Sequence, residues 1–406
     1  MEKVVITGMG VISPIGKNVA EFQENLFAGR HGIVTIDHFD TTDLAVQVNA
    51  PVKDYDADEY FSERDAHRMD TYSQYGVIAA REAVQESRIL DDVDPYRLGV
   101  YMTTTFGGTG TILREHVTME QQGARKVSPL MVPKFLVNHL SGLVAIDVGA
   151  RGPAAAHGAA CAASAVSIGE GMRAIRHGYA DAVICGGGEA ATQKLIVSGF
   201  QNLRALTVET DPDRACLPFD KHRSGFVMGE GAGALVLESE SHAKARGATI
   251  LAEVSGYGLT NDAEHITAPA LHGESVDRAI ADAIADAGVR DETLYVNAHG
   301  TSTIKNDRLE SAAIARMLGG KAVVSSTKSM TGHLIGAAGV VEAVASVLAL
   351  REQSVPPTVG TTELDEDIHV DVVHGAARSM EFSRAVSLSL GFGGHNACLV
   401  LDRAEE

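Results

Sequence analysis

Hydrophobic positions along the chain follow two alternating periods. Short β-branched runs, such as KVVITG at residues 3–8 and RLGVYMTTT at residues 97–105, predict strands. Between them, apolar residues recur at helical spacing and predict helices over residues 19–28 and 71–86. This regular change of period is typical of an α/β protein.

The same alternation returns in the second half of the chain. The elements predicted there are strands over 250–258, 294–300 and 322–328 and helices over 274–287 and 307–318. A repeated order of elements predicts a duplicated architecture. We expect one half at residues 1–240, carrying a nucleophile, and another at 241–406, carrying two histidines, with the seam at 241–247.

Two stretches of the chain are apolar nearly all round. Residues 162–177 and 333–351 consist mostly of Ala, Gly, Val, Leu and Ser. A helix without a polar face must be buried on every side. Strand-like segments follow at 180–188 and 384–394, so we predict a layered α/β fold with these two helices at its centre.

Composition narrows the classes of function. The 406 residues suffice for two packed lobes, and 45% hydrophobic with 21% charged residues is the balance of a globular protein. A formal charge of -19, with no run of Lys and Arg, argues against nucleic acid and anionic membranes as partners. Since the first residues lack signal-peptide regions and the most apolar stretch, 334–350, contains Glu342, we expect a cytoplasmic protein without a membrane span.

One cysteine stands out from the other three. Cys161 lies in GAACAASA before the first apolar helix, where free backbone N–H groups and the helix dipole favour a thiolate and can hold an oxyanion. A free cysteine is also commonly a small buried hydrophobe, which suits Cys185 and Cys398 in their strand contexts. The spacing of cysteines, histidines and glycines predicts neither a metal site nor a dinucleotide site.

Two histidines are placed to act with Cys161. His299, in NAHGTST, follows a predicted strand, and His333, in SMTGHLIGAAG, begins the second apolar helix. If the halves pack pseudo-symmetrically, both rings converge on the cysteine as donors or acid/base groups. Lys328 and Glu342 flank His333 in otherwise apolar segments, so we expect them to be paired, as a structural salt bridge or as part of the chemistry.

Six longer motifs occur in one order along the chain. They are GPAAAHGAACAASA, PFDKHRSGFVMGEGAGALVLE, NAHGTST, SSTKSMTGHLIGAAG, VPPT and SLGFGGHNA. Together they resemble the β-ketoacyl-acyl carrier protein synthases of the synthase II type, the elongating condensing enzymes of fatty-acid and polyketide synthesis. The likeness covers essentially the whole chain. It implies the thiolase-type duplicated five-layer α-β-α-β-α sandwich, usually a dimer.

The resemblance also implies roles for the residues singled out above. Cys161 takes the acyl group from acyl carrier protein as a thioester, while His299 and His333 bind the malonyl thioester carbonyl during decarboxylation. Lys328 and Glu342 match the supporting charged pair of the family. No cofactor is implied, because the substrates are carried on the phosphopantetheine of the carrier protein.

Further site residues follow from the same match. The backbone N–H groups of Cys161 and Phe392 match the oxyanion hole, and Phe392 also matches the aromatic gate between the two steps. Asp307 and Glu310 are expected to give structural support. The candidate substrate-binding residues are Phe106, Phe200, Thr301, Thr303, Gly391 and Gly393.

Several positions depart from the common pattern of the family. The segment 304–308, IKNDR, resembles the Asn-Asp-Arg loop of ketosynthase subunits in type II polyketide synthases. Phe106 falls where long-chain members have a smaller residue, which predicts a preference for short or stiff acyl chains. Ala162 and Ala163 replace hydroxyl residues and His395 replaces a threonine, changes that bear on the substrate and not on the reaction.

We therefore expect decarboxylative Claisen condensation of a Cys-bound acyl group with malonyl-ACP, in type II polyketide or polyene biosynthesis. Housekeeping fatty-acid elongation by a 3-oxoacyl-ACP synthase II is the alternative. A thiolase would carry a second cysteine as acid/base near the carboxyl end, but Cys398 lies in an apolar strand context. A non-catalytic chain-length factor would lack the nucleophile, so Cys161 argues against that reading.

The expected partners are acyl carrier protein and a second subunit, identical or like a chain-length factor. Nucleic acid and membranes are not expected. An acidic carrier protein needs a basic patch. The candidates, whose simpler role is solvation, are Lys126, Lys134, Arg204 and Arg214.

Overall fold

A computed structural model describes residues 2–270 and 272–404 of the chain. Within these ranges the strands are β1 (Val4–Ile12), β2 (Val34–Thr35), β3 (Val48–Asn49), β4 (Leu98–Thr103), β5 (Ala154–Ala155), β6 (Ala182–Glu189), β7 (Gly231–Ser239), β8 (Ala252–Asn261), β9 (Leu294–Asn297), β10 (Ala322–Ser325), β11 (Ser354–Val355), β12 (Asp371–Val372), β13 (Arg378–Ser379), β14 (Arg384–Gly391) and β15 (His395–Arg403). The α-helices are α1 (Val19–Phe27), α2 (Glu63–His67), α3 (Thr71–Ser87), α4 (Thr109–Gln122), α5 (Met131–Phe135), α6 (His139–Val148), α7 (Ala163–Arg176), α8 (Lys194–Asn202), α9 (Glu240–Ala245), α10 (Glu274–Ala287), α11 (Ile304–Leu318), α12 (Lys328–Thr331) and α13 (Ala338–Glu352).

The principal sheet has the strand order β12-β10-β9-β14-β15-β8-β1-β7-β6-β4-β5. It consists of two half-sheets that meet where β1 pairs with β8, through Val5 opposite Glu253 and Ile6 opposite Ala252. Outward from this join, the half-sheets run β1-β7-β6-β4-β5 and β8-β15-β14-β9-β10. In each, the first two pairings are antiparallel and the next two are parallel. The same topology is therefore built twice, as the repeated hydrophobic pattern predicted.

Helices α7 and α13 lie between the two half-sheets. Helix α7 contacts β6 and β4 on one side and β15 and β8 on the other, and α13 contacts β14 and β15 as well as β7 and β1. Helices α3 and α6 cover the outer face of the first half-sheet, and α10 and α11 cover the second. The five layers form an α-β-α-β-α sandwich, which confirms the predicted fold.

Small residues allow the two central helices to pack closely. A Cβ atom added to Gly339 of α13 would lie 2.8 Å from Ala165 of α7. Every residue of α13 from Ala338 to Leu350 is buried, as a helix apolar on all sides requires. No helix in the described part of the chain has the length and hydropathy to cross a bilayer.

The largest difference between predicted and observed helix boundaries is at the second central helix. Helix α10 has the predicted bounds, whereas α11 begins three residues before its predicted start. The predicted helix over 333–351 is wrong at its beginning, because α13 begins at Ala338. Gly332 and Ile335 have φ angles of 65° and 51°, which interrupt the right-handed helix. His333 therefore lies outside the helix, in a β-bridge with Met228 that precedes the 3₁₀ turn Ile335–Ala337.

The connection between the halves is a packed helix. Residues 241–247 form most of α9 and the turn after it. The Ser239 hydroxyl accepts the N–H of His242 as an N-cap, and Arg246 donates two hydrogen bonds of 2.7 Å to the buried carboxylate of Glu238. The placing of the domain boundary in this segment stays a prediction.

Candidate active site

One cavity of about 490 Å³ is lined by Cys161, His299 and His333 together. Cys161 lies in a 3₁₀ turn directly before α7, His299 follows β9, and His333 lies in the segment between α12 and the 3₁₀ turn that precedes α13. The centroids of the two imidazole rings are 5.2 Å apart and their planes are nearly perpendicular. The duplicated fold thus brings a thiol from the first half against two imidazoles from the second.

The turn that carries Cys161 is held by a hydrogen bond and lies in an unusual backbone conformation. Ala160 has a φ of 46°, and its carbonyl accepts a 3.0 Å hydrogen bond from the Thr105 hydroxyl. Burial raises the pKa of the Cys161 thiol to about 12, although Lys328 and the backbone N–H of Phe392 act in the opposite direction. The resting group is therefore a thiol, because burial opposes the thiolate that a position before a helix favours.

His333 presents a defined N–H group to the cavity. Its Nδ1 accepts a 3.2 Å hydrogen bond from the backbone N–H of Ile335. Burial first, and then the charge of Lys328, lowers the pKa of His333 well below its usual value, so the ring is neutral. A neutral ring that accepts at Nδ1 carries its proton on Nε2. His333 is therefore a hydrogen-bond donor through Nε2.

His299 is neutral for the same reasons and is positioned through its backbone. Burial lowers its pKa well below the usual value, and the nearby Lys328 and His333 lower it further. The backbone N–H groups of His299 and Gly300 donate to the Glu310 carboxylate at 2.5 and 2.8 Å. Glu310 thus holds the turn after β9, the structural support expected of it.

Asp307 also acts on backbone rather than on the cavity. Its carboxylate accepts a 2.9 Å hydrogen bond from the Phe219 N–H and lies 3.7 Å from the guanidinium of Arg223. All of these side chains are buried. This agrees with the structural role expected from the sequence.

Lys328 and Glu342 form a buried ion pair beside the two histidines. Burial raises the pKa of Glu342 to about 7 against the opposing charge of Lys328. One carboxylate oxygen of Glu342 has no hydrogen-bond partner among the described residues. The pair therefore depends on its single charged contact, and Lys328 also places a positive charge near the thiol and both imidazoles.

Replacing Lys328 with methionine is expected to destabilise the protein by about 3–5 kcal/mol, because it leaves the Glu342 carboxylate buried without a counter-charge. The pKa of Glu342 in the folded state already lies above its ordinary value. Ionisation therefore destabilises the fold as pH rises, and the deficit should be larger at pH 8 than at pH 5. Chemical denaturation at both pH values measures it. The double variant Lys328→Met/Glu342→Gln should recover most of the loss, and a single variant as stable as the parent at pH 8 would contradict the expectation.

Aromatic rings form one wall of the cavity. Phe200 and Phe392 line it as expected, with centroids 6.2 Å apart. Phe226 also lines it, edge-on to both His333 at 5.3 Å and Phe200 at 5.4 Å, and sequence reasoning missed this residue. It lies within the motif PFDKHRSGFVMGEG, where a lone aromatic between glycines was the available signal.

The remaining expected substrate-binding residues divide into two groups. Thr301, Thr303 and Gly391 line the cavity. Phe106 and Gly393 are not among the residues that line this cavity, and their part in substrate binding stays a prediction. The ring of Phe106 packs edge-on against Phe200 at 5.9 Å and belongs with it to the hydrophobic cluster that includes Cys161. The backbone N–H and carbonyl of Gly393 are both bonded within neighbouring loops, to Ile266 and Asn261.

The candidate cations for a carrier protein are spread over different places. Arg204 lines the cavity, and so does Lys305 from the start of α11. Lys126 and Arg214 lie exposed in 3₁₀ turns, and Lys134 is half-buried in α5. Across the described residues, no group of three or more His, Cys, Asp or Glu side chains has an arrangement that could hold a metal ion.

Two protein-family models match the chain. The model of the β-ketoacyl synthase N-terminal domain matches residues 1–243, and that of the β-ketoacyl synthase C-terminal domain matches residues 251–362. The chain belongs to the β-ketoacyl synthase family. It is therefore an acyltransferase-type enzyme, a ketosynthase, and its duplicated sandwich is the thiolase-type fold.

Individual synthases match over their whole length. The chain is 44% identical over 409 residues to 3-oxoacyl-(acyl-carrier-protein) synthase 2 of Staphylococcus aureus, covering 100% of this chain and 99% of the other. The ishigamide ketosynthase/chain length factor superposes with a TM-score of 0.92 at 36% identity, with 100% of both chains covered. AntDE:AntF, a type II PKS acyl-carrier protein in complex with its ketosynthase, superposes with a TM-score of 0.90 at 32% identity and the same coverage.

Proposed function

We propose that this ketosynthase joins an acyl group held on Cys161 to malonyl-ACP by decarboxylative condensation. The observation that carries the proposal is the meeting, in one cavity, of a buried thiol with two neutral imidazoles. Such a reaction forms two negatively charged oxygen atoms, one in a tetrahedral intermediate and one in an enolate. The site offers hydrogen-bond donors for each: backbone N–H groups for the first and the two imidazoles for the second.

The first step is acyl transfer from the carrier protein. Cys161 Sγ forms a bond to the thioester carbonyl carbon, the bond to the carrier sulfur breaks, and the thiol proton leaves with the carrier arm as its new thiol. The N–H groups of Cys161 and Phe392, both directed at Sγ, are placed to hold the oxyanion. The ring of Phe392 lines the cavity that Cys161 also lines, and we assign to it the gate between the two steps.

The second step consumes malonyl-ACP. Loss of CO2 leaves an enolate, whose oxygen the Nε2–H of His333 and the ring of His299 stabilise. The enolate carbon forms a bond to the acyl carbonyl carbon on Cys161 and the bond from that carbon to sulfur breaks, which gives the β-ketoacyl-ACP. Cys161 leaves as a thiolate and takes up a proton from solvent to return to the thiol. Lys328, paired with Glu342, helps to keep both rings neutral because its charge lowers the pKa of His299 and of His333.

We further propose a type II polyketide or polyene pathway. The segment 304–308 and the aromatic Phe106 support it, as does the similarity to the ishigamide ketosynthase. Fatty-acid elongation is the second candidate, favoured by the 44% identity to a 3-oxoacyl-(acyl-carrier-protein) synthase 2.

The test is reconstitution with malonyl-ACP and carrier-bound primers, with products identified by mass spectrometry. Two series of primers are compared: the first contains short polyene or β-keto primers, and the second contains saturated chains of graded length. Faster condensation of the first series supports the polyketide pathway, and efficient use of long saturated chains overturns it in favour of fatty-acid elongation. Absence of any acyl group on Cys161 with either series would contradict the reaction itself.

Replacing Phe106 with alanine is expected to extend the accepted chain length. The ring packs against Phe200, which lines the cavity, so its removal leaves room into which Phe200 can move. Single-turnover acylation by long saturated acyl-ACP should rise about tenfold relative to short chains. Phe106→Leu should give a smaller shift, and Phe61→Ala, remote from the cavity, none. Equal handling of all lengths by the parent protein would remove this idea.

The partners we infer are acyl carrier protein and a second subunit. The relatives' names mention both a carrier protein and a chain length factor, and Arg204 and Lys305 at the cavity offer cations for an acidic carrier. Native mass spectrometry distinguishes a homodimer from a heterodimer when the protein is purified alone and after co-expression with a subunit like a chain-length factor. A monomer under both conditions would contradict the inference.

A further inference from the structure

Glu189, the last residue of β6, is a buried carboxylate that accepts four hydrogen bonds beside the site. No cation pairs with it within the described residues. Its donors, with their distances, are the Thr104 hydroxyl at 2.9 Å and the backbone N–H groups of Thr105 at 2.8 Å, Phe106 at 3.2 Å and Gly336 at 3.2 Å. Since a buried carboxylate must recover its lost hydration from such donors, these contacts hold the segments that supply them.

One branch of these contacts leads to the nucleophile. Thr105, whose N–H is bound by Glu189, donates through its hydroxyl to the carbonyl of Ala160 at 3.0 Å. Ala160 is in the left-handed region, which residues with a Cβ seldom adopt unless their surroundings impose it. The next residue is Cys161, so this chain of contacts sets the turn from which the thiol projects.

The other branch leads to His333. Gly336, whose N–H is bound by Glu189, follows Ile335, a β-branched residue with a φ of 51°. The N–H of Ile335 donates to His333 Nδ1 and thereby fixes the proton on Nε2. The two branches touch at Gly336, where an added Cβ would lie 2.6 Å from the Thr105 hydroxyl and 2.8 Å from the Glu189 carboxylate.

The charge of Glu189 does not explain its position. A carboxylate near Cys161 opposes formation of a thiolate, so it works against the nucleophile electrostatically. It is nevertheless placed where two unfavourable backbone conformations meet, one from each half of the fold. Its contribution is therefore geometric.

We propose that Glu189 is a positioning residue. It fixes the turn Ala160–Ala162, which carries Cys161 (the Cys161 turn), relative to the segment 333–337, which carries His333 (the His333 turn). The inference rests on the proposed function, in which both turns act on one reaction. Displacement of a reacting group by about 1 Å costs on the order of 100-fold in rate, so a residue that fixes both turns acts on both half-reactions.

The test is Glu189→Gln. The amide turns one oxygen into an N–H donor, which faces donors already directed at the carboxylate. We expect kcat per active site to fall about 100-fold, with KM for malonyl-ACP nearly unchanged. The concentration of active sites is measured as the fraction of Cys161 that iodoacetamide labels. The matched control is Glu82→Gln, because Glu82 also accepts two backbone N–H groups, of Val11 and Val19, but lies away from the cavity. A purely structural role would lower the number of labelled sites and leave the rate per site unchanged.

Thr105 separates the two branches. Thr105→Val removes the hydroxyl that reaches Ala160, so acylation of Cys161 should slow while CO2 release from malonyl-ACP continues at the parent rate. Thr105→Ser retains the hydroxyl and should restore acylation. Equal losses of both half-reactions in Thr105→Val, or none in Glu189→Gln, would overturn the proposal.

A readout without substrate keeps this inference separate from the proposed function. Spectra of protein labelled with ¹⁵N-histidine, assigned with His333→Gln, report the tautomer of His333. We expect the Nε2–H form alone in the parent and in Glu82→Gln, and a mixture in Glu189→Gln. An unchanged tautomer overturns the positioning role, whereas failure of the parent to condense any primer refutes the proposed function instead.

Discussion

Cys161→Ala abolishes acyl transfer: no acyl adduct forms with any acyl-ACP, and condensation falls by at least about 10⁴-fold. The reason is that the cavity contains one sulfur, since Cys185, Cys216 and Cys398 are buried elsewhere and do not line it. Intact-protein mass spectrometry after incubation with acyl-ACP measures the adduct directly. Malonyl decarboxylation, which needs the histidines, should survive at a measurable rate.

The control for this prediction is Cys398→Ala. Cys398 is buried within β15 and contacts the core of the second half. Its removal should cost stability through a small cavity but leave the acyl adduct on Cys161 intact. An acylated Cys161→Ala protein would show that another residue is the nucleophile.

His333→Ala is expected to lower malonyl decarboxylation by about 10²–10³-fold, because the variant lacks the fixed Nε2–H donor to the enolate. Acylation of Cys161 should change far less, since the donors proposed for its oxyanion are the backbone N–H groups of Cys161 and Phe392. Release of ¹⁴CO2 from labelled malonyl-ACP and the acyl adduct on Cys161 measure the two steps separately.

His333→Asn serves as the matched comparison, because its amide retains an N–H donor of similar reach. We expect its decarboxylation rate to lie between those of the parent and His333→Ala. If acylation instead fell as much as decarboxylation in both variants, the separation of donor sets between the two steps would be incorrect.

The layered fold could be predicted from the sequence because its strongest signals are long and periodic. Helix α13 is apolar on every face, and α7 is apolar except for Glu170, Arg173 and Arg176 in its C-terminal half; such helices have few places to lie other than between sheets. The start of α13 could not be predicted in this way. Residues 333–337 are as apolar as the helix that follows, and only the backbone angles at Gly332 and Ile335 separate them.

The sequence predicted which three residues meet in the cavity, but not the residues that pack against them or fix the neighbouring backbone. Cys161, His299 and His333 stand in motifs that place them at ends of buried elements. Phe226 and Glu189 act through neighbours that are distant in sequence, and a single chain contains no signal for those contacts. The raised pKa of Cys161 could not be predicted for a related reason, since burial depends on the complete tertiary packing.

The turns before the two central helices share one backbone design. Each is a 3₁₀ turn, at Ala160–Ala162 and Ile335–Ala337, and each opens on a residue with positive φ. Cys161 and Gly336 are thus equivalent positions in the two repeats. The two repeats use the same turn differently. The first presents the Cys161 thiol at this position, and the second has a glycine whose N–H binds Glu189, the residue proposed to align the two turns.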